Sequence, residues 1–234
     1  MAVITISRQY GSNGAAIARL ISSQLGFRLL DRDLVDAVAA KAHIPSGVAR
    51  SLDERTYDWA SGLVQSVLFA LRGQAVTPES YRCLANRLIR EAAKQGNLVI
   101  LGRAARLVLG VGPGTFHVHV VAPIEDRVAE ISRRERIGPD EARRRIWEVD
   151  KGRADYVHAV GRRDWQDPTL YDLIVNTHRL SAEDAASLIV DAARRAGVIP
   201  PVGSPRLNHG HEHEHAHSDL ERRRAADEHA VRSR

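Results

Sequence analysis

Residues 3–14, VITISRQYGSNG, run without a break into AAIARLISSQLG, and this junction constrains the fold more than any other stretch. Residues 3–6 are all β-branched, the content of a buried strand, whereas Ile17, Leu20, Ile21 and Leu25 recur at helical spacing. A glycine-bearing turn joins the two. Strand, turn and helix in that order bring the unpaired N–H groups of a helix start and the amides of the turn around one point, where the helix dipole also favours an anion. The order predicts a phosphate site or, with equal weight, an ordinary strand-to-helix turn in which Gly11 and Gly14 relieve a tight backbone.

The turn resembles a phosphate-binding P-loop, G-x-x-x-x-G-K-[ST], without its side chains. Arg8 stands at the leading glycine, Gly14 at the lysine and Ala16 at the Mg²⁺-binding hydroxyl. The lysine of that motif reaches the β- and γ-phosphates and the hydroxyl holds the metal. Both tasks here fall to other residues or go undone.

With 234 residues, 44% of them hydrophobic, the chain can bury one good core, as a single domain with subdomains. No apolar run approaches the ~20 residues that span a bilayer, and no charged and apolar leader precedes the first strand, so a soluble, cytoplasmic protein with no membrane partner is expected. The single cysteine, Cys83, excludes an internal disulfide framework, and its helical surroundings predict a packed, inert thiol. The net charge of +5 suits polyanions. Only Lys41, Lys94 and Lys151 among the 34 basic residues are lysine, the rest arginine, whose fork of donors matches phosphate. No recognition motif or interleaved aromatics accompany the arginines, which argues against nucleic acid.

The remaining pattern predicts an α/β fold: a three-layer, parallel five-stranded sheet with helices on both faces. A second strand at 27–30 ends in Asp31-Arg32-Asp33, at the edge where open sheets place ligands, although either aspartate serves equally as a cap for a helix over 34–42. Residues 44–77 read as a helical insertion outside the sheet, and residues 78–95 as a helix begun by Thr77-Pro78-Glu79 and closed by Gly96. A strand at 97–101 runs into Gly102-Arg103; Arg103 is placed for a substrate phosphate, or begins a short surface helix at 104–109. The strand at 116–121 puts His117 and His119 on one face, where packing against a helix is favoured over metal ligation. Helices over 123–136 and from 139 onward carry Arg127, Arg133, Arg134, Arg136, Arg143, Arg144, Arg145, Lys151 and Arg153, a candidate lid (about 133–156). The interleaved acids make most of these arginines a solvated face. A fifth strand covers 171–176, and Ser181 caps a last helix ending at Gly197. The domain is expected to span 1–197. Residues 198–234, with HGHEHEHAH at 209–217, read as a disordered tail able to bind Zn²⁺ or Ni²⁺ weakly.

ITISRQYGSNG, LLDRD, VILGRAA, DKGRADY at 150–156 and DWQDPTLYDLIVNT at 164–177, in this order, resemble the cytidylate kinase-like family. The resemblance covers about residues 3–196 and implies a nucleoside monophosphate kinase-like fold, with ATP and Mg²⁺ as cofactors and a nucleotide as the small-molecule partner. Carried over by position, Tyr10, Gly11, Ser12, Asn13, Gly14, Ala15 and Ala16 would hold the ATP phosphates. Asp31, Arg32 and Arg103 would face the acceptor, Lys151 and Arg153 would act on the transferring group, and Arg133 and Arg134 would be lid cations. No side chain is assigned to a metal. The chain departs from authentic cytidylate kinases at Gly14 and Ala16, at Leu101 and Ala104 flanking the GR pair, and at residues 34–38, LVDAV, which lack an arginine. Arg8 is the candidate to replace the missing lysine. A non-catalytic nucleotide-binding regulator is the alternative expectation.

Overall fold

A computed structural model of the chain describes residues 2–31 and 78–200. Arg32, the helix expected at 34–42, the insertion at 44–77 and the tail from 201 lie outside the described residues.

Five strands form one parallel sheet: β1 (Val3–Arg8), β2 (Arg28–Leu30), β3 (Leu98–Leu101), β4 (Thr115–Val121) and β5 (Leu173–Asn176), in the order β2-β3-β1-β4-β5. Continuous apolar runs suit strands covered on both faces. Ile4 and Ile6 of β1, with Val99, Val118 and Val175, face α1 (Gly14–Leu25) and, at the other end of the chain, a helix over Ala182–Arg195. Val3, Leu98 and Ile100 face the opposite layer, α2 (Pro78–Lys94) and α3 (Ala105–Leu109). Two further helices, α4 (Ile124–Glu135) and α5 (Pro139–Gly161), pack on each other through a small core of their own, Val128, Ile131, Ala142 and Ile146. This pair is the expected lid segment, and Gly161 lets α5 approach α3, since a Cβ there would meet Leu107 Cδ1 at 2.7 Å.

The sequence explains the boundaries. Gly26 and Gly96 take positive φ (64° and 65°) where α1 and α2 end. The last helix, α6 (Ala182–Arg195), begins with Ser181 accepting from Asp184 N at 3.0 Å. Ser181→Ala should therefore cost about 1 kcal/mol in urea unfolding, and Ser181→Gly only a few tenths. The chain stays packed two residues past the expected limit at 197: Val198 N donates to Ala193 O at 3.0 Å and Ile199 is buried. Cys83 is exposed on α2, not packed as its surroundings suggested, because it lies on the solvent side of the helix face formed by Ala85, Leu88, Ile89 and Ala92. No helix among the described residues is long and apolar enough to cross a membrane.

The topology fixes where a ligand fits. β1 leads into α1 on one face, and its neighbour β3 leads into α3 on the other. Outgoing connections that diverge from adjacent parallel strands open a crevice at their C-terminal ends, the switch point of an open sheet.

Candidate active site

At that switch point lies a cavity of about 390 Å³, lined by Ser7 and Arg8 of β1, by Gly102, Arg103 and Arg106 after β3, and by Glu148, Arg153 and Tyr156 of α5. Trp165 and Tyr171 close its far wall. Four arginines and one glutamate make the lining strongly cationic, the chemistry of an anion site.

The turn beside it leaves backbone amides open. Gly11 (φ 85°) and Asn13 (φ 60°) are left-handed, and Asn13 caps α1 without a side-chain bond. The first intrahelical bond is Ile17 N to Asn13 O at 3.1 Å, so the N–H groups of Gly14, Ala15 and Ala16 open at the helix mouth without intrahelical partners. No acidic residue occupies that first turn. Ser12 is spent on structure: its buried hydroxyl donates to Gln9 O at 2.8 Å and Val120 O at 3.2 Å. The hydroxyl position of the P-loop motif falls on Ala15, one before Ala16, and both are alanine.

α5 is tied to the turn by a network with Asp150 at its centre. Asp150 accepts from Tyr10 N at 2.8 Å, from Arg127 Nη1 at 2.7 Å and from Arg153 Nη1 at 3.2 Å. Arg153 Nη1 also donates to Arg8 O at 3.0 Å, and its guanidinium lies 5.4 Å from the Tyr10 ring centre. The Tyr10 hydroxyl donates to Glu135, and this bond, followed by Arg134 and Arg145, holds the Glu135 carboxyl below its usual range.

The structure thus brings Arg8, Arg103 and Arg153 to one cavity beside the turn of residues 10–16. Arg103 sits 6.0 Å from the Tyr156 ring centre in a backbone run of three left-handed residues, Gly102 (φ 80°), Arg103 (57°) and Ala104 (51°). Left-handed non-glycine residues are costly, and strain of this kind gathers at functional sites. Lys151 is elsewhere: two residues from Arg153 and about 200° round the helix, it is exposed and paired with Asp155 at 2.8 Å. Arg134 lies over Tyr10 at 5.1 Å, whereas Arg133 is 75% exposed and paired with Glu130. Asp31 directly follows β2, two strands from β1.

Residue-type reasoning gave no role to Asp150 or Trp165 and read Arg127 only as one of the arginines on the lid helices. The i,i+3 spacing of Asp150 and Arg153 on one helix face was the available signal for the first. Trp165 Nε1 donates to Ser7 Oγ at 2.7 Å, fastening the segment after α5 to the end of β1.

The two histidines are structural. His117 Nε2 donates to Gly110 O at 3.0 Å, which leaves Nδ1 to accept from the Thr5 hydroxyl at 2.7 Å. His119 stacks on Tyr171 at 4.7 Å and meets Trp165 edge-on at 5.4 Å. His119 packs, as expected, but against the segment 165–171 and not a helix. Among the described residues no cluster of His, Cys, Asp or Glu could hold a metal. Burial, then the Arg153 charge, push the His119 imidazole down to about 4. Between pH 6.5 and 4 the unfolded chain takes up a proton that the folded one refuses, so stability falls as pH falls through that window. The slope should be on the order of 1 kcal/mol per pH unit. His119→Phe, which keeps the stack, should lose that part of the slope in denaturant titrations at pH 4 to 7.

A profile of the cytidylate kinase-like family matches residues 3–179. Cytidylate kinase from Thermococcus kodakarensis is 31% identical over 192 residues, 82% of this chain and 86% of that protein. Cytidylate kinase from Methanopyrus kandleri is 34% identical over 112 residues, 44% of this chain and 58% of that protein. Among solved structures, an uncharacterized protein from Eubacterium ventriosum superposes with a TM-score of 0.62 at 18% identity, over 82% of this chain and 97% of that one, a likeness of fold.

Proposed function

Because the chain belongs to the cytidylate kinase-like family, we propose that it transfers the γ-phosphoryl group of ATP to a nucleoside monophosphate or a similar small phosphorylated acceptor. The observation that supports this reading is the cavity at the switch point of the sheet lined by Arg8, Arg103 and Arg153, with Gly14 at the mouth of α1 lying against the Arg8 stem. Phosphoryl transfer asks little covalent chemistry of a protein; it needs two phosphates held in line and cations where charge builds up.

The parts divide by position. The amides of Gly14, Ala15 and Ala16, with the left-handed turn before them, would hold the donor phosphates. Arg103, on the β3 side of the cavity, would take the acceptor phosphate with a bidentate fork. Arg153, held by Asp150 and Arg8 O, lines the same cavity and would stabilise the transferring group. The cationic lining and the amides of the turn would suit a triphosphate, whose Mg²⁺ would supply charge neutralisation for the group being transferred. Asp31, directly after β2, would border the acceptor.

Incubating the protein with Mg·ATP and each nucleoside monophosphate in turn, and measuring ADP, tests the proposal. Acceptor-dependent ADP formation is the expected result. Saturable Mg·ATP binding with no ADP above background for any acceptor would instead favour a nucleotide-binding regulator, the reading suggested by glycine at position 14.

A further inference from the structure

Gly14 is a glycine without a backbone reason. Its φ is not in the left-handed region that favours glycine, unlike those of Gly11, Gly26, Gly96 and Gly102, and it begins a helix, where glycine is a weak former. The reason lies across the turn. A Cβ on residue 14 would stand 2.5 Å from Arg8 Cβ and 2.8 Å from Arg8 Cγ, distances no pair of carbons tolerates. Arg8 Cβ is fixed by the last residue of β1 and cannot swing aside as a side-chain end would. Positions 8 and 14 therefore hold one side chain between them.

The side chain that is present continues in a definite direction. From Gly14 the Arg8 stem runs toward β3, where Nη1 occupies the place a Cβ on Gly102 would take, with Cζ 3.3 Å and Nη2 3.7 Å from it. The guanidinium so arrives in the cavity that Arg103 and Arg153 line, having crossed the opening of α1. In the P-loop motif the leading glycine, at the place of Arg8, accompanies a lysine at the place of Gly14. In this chain a lysine at 14 would meet Arg8 Cβ and Cγ in the same way.

We propose that the cation of the phosphate turn has been transposed from position 14 to position 8, so that Arg8 does the work of the P-loop lysine and Gly14 is the vacancy that admits it. The proposal rests on the kinase reading above and deepens it. A guanidinium offers a planar fork where lysine offers a single ammonium, so the exchange trades reach from the helix for two-point contact from the strand.

The test uses the full chain and the variants G14A, G14K, R8G, R8G/G14A and R8G/G14K, with thermal midpoints for the fold and calorimetry with Mg·ATP for the charge. G14A and G14K should lower the midpoint by several degrees, and R8G/G14A should recover most of what G14A loses, a non-additivity expected only of residues in contact. R8G should weaken Mg·ATP about tenfold or more, the loss of a charge-assisted contact. R8G/G14K should bind within about threefold of the parent, because the two substitutions restore the motif. Parent-like midpoint and affinity in G14K, or parent-like affinity in R8G, overturns the transposition. An R8G/G14K protein that binds no better than R8G does so as well. A parent that does not bind Mg·ATP overturns the kinase reading and with it the role of Arg8, whereas the exclusion between 8 and 14 is then judged by the midpoints alone and falls if R8G/G14A melts no higher than G14A.

Discussion

Replacing Arg153 by alanine is expected to reduce kcat for phosphoryl transfer about 10²–10³-fold, the range seen when a preorganised donor is removed from a site of developing charge. The guanidinium is held at two points, by Arg8 O at 3.0 Å and Asp150 at 3.2 Å, and lies against the Tyr10 ring. It needs no reorganisation as charge builds up on the group in transit, and the loss should fall on kcat more than on the KM for ATP. Arg153→Lys keeps the charge but loses the fork, and should recover only part of the rate. The fold should be little affected, since Asp150 keeps Arg127 at 2.7 Å, and thermal midpoints of the two variants check this. A kcat within threefold of the parent in Arg153→Ala would show that Arg153 serves only to hold the turn.

The elements that a local pattern dictates were legible in the sequence. Four of the five strands are apolar runs carrying Val or Ile, β2 (Arg28–Leu30) being the exception, and the glycines at 26 and 96 and the cap at Ser181 mark helix ends within a residue or two. The membership of the site was legible at the C-terminal ends of the central strands, because the end of a parallel strand is the ligand edge: Arg8 is the last residue of β1 and Arg103 stands two residues beyond β3. Helix-borne cations were harder. DKGR reads as two neighbouring cations, yet a helix turns Lys151 to solvent and Arg153 to the turn, and only the strand order decides which side of α5 faces β1. Asp150 escaped because a carboxylate has no place in a scheme of phosphate ligands. Its role is to organise the groups that are ligands. The reason for Gly14 was also out of reach of one-dimensional reasoning, since it depends on a Cβ six residues earlier that the turn folds back onto it.

Asp150→Ala should produce the largest loss of stability, about 3 kcal/mol or more, because it removes the shared counter-charge of two guanidiniums that are themselves mostly buried. The Arg127 and Arg153 side chains are 11% and 23% exposed, against 16% for Asp150. With the carboxylate gone the two guanidiniums lose their shared counter-charge, and Tyr10 N, a half-buried amide, loses its acceptor, a further penalty. For a protein of this size 3 kcal/mol corresponds to a midpoint lowered by roughly 6–12 °C. Asp150→Asn retains one acceptor for Tyr10 N without the charge, and should fall between the two. The double variant Arg127→Ala/Asp150→Ala should be less destabilised than the sum of the singles, because removing Arg127 takes away one of the uncompensated charges. A midpoint within 2 °C of the parent in Asp150→Ala would mean that the arginines find other partners, and that the tie between α5 and the phosphate turn does not depend on this carboxylate.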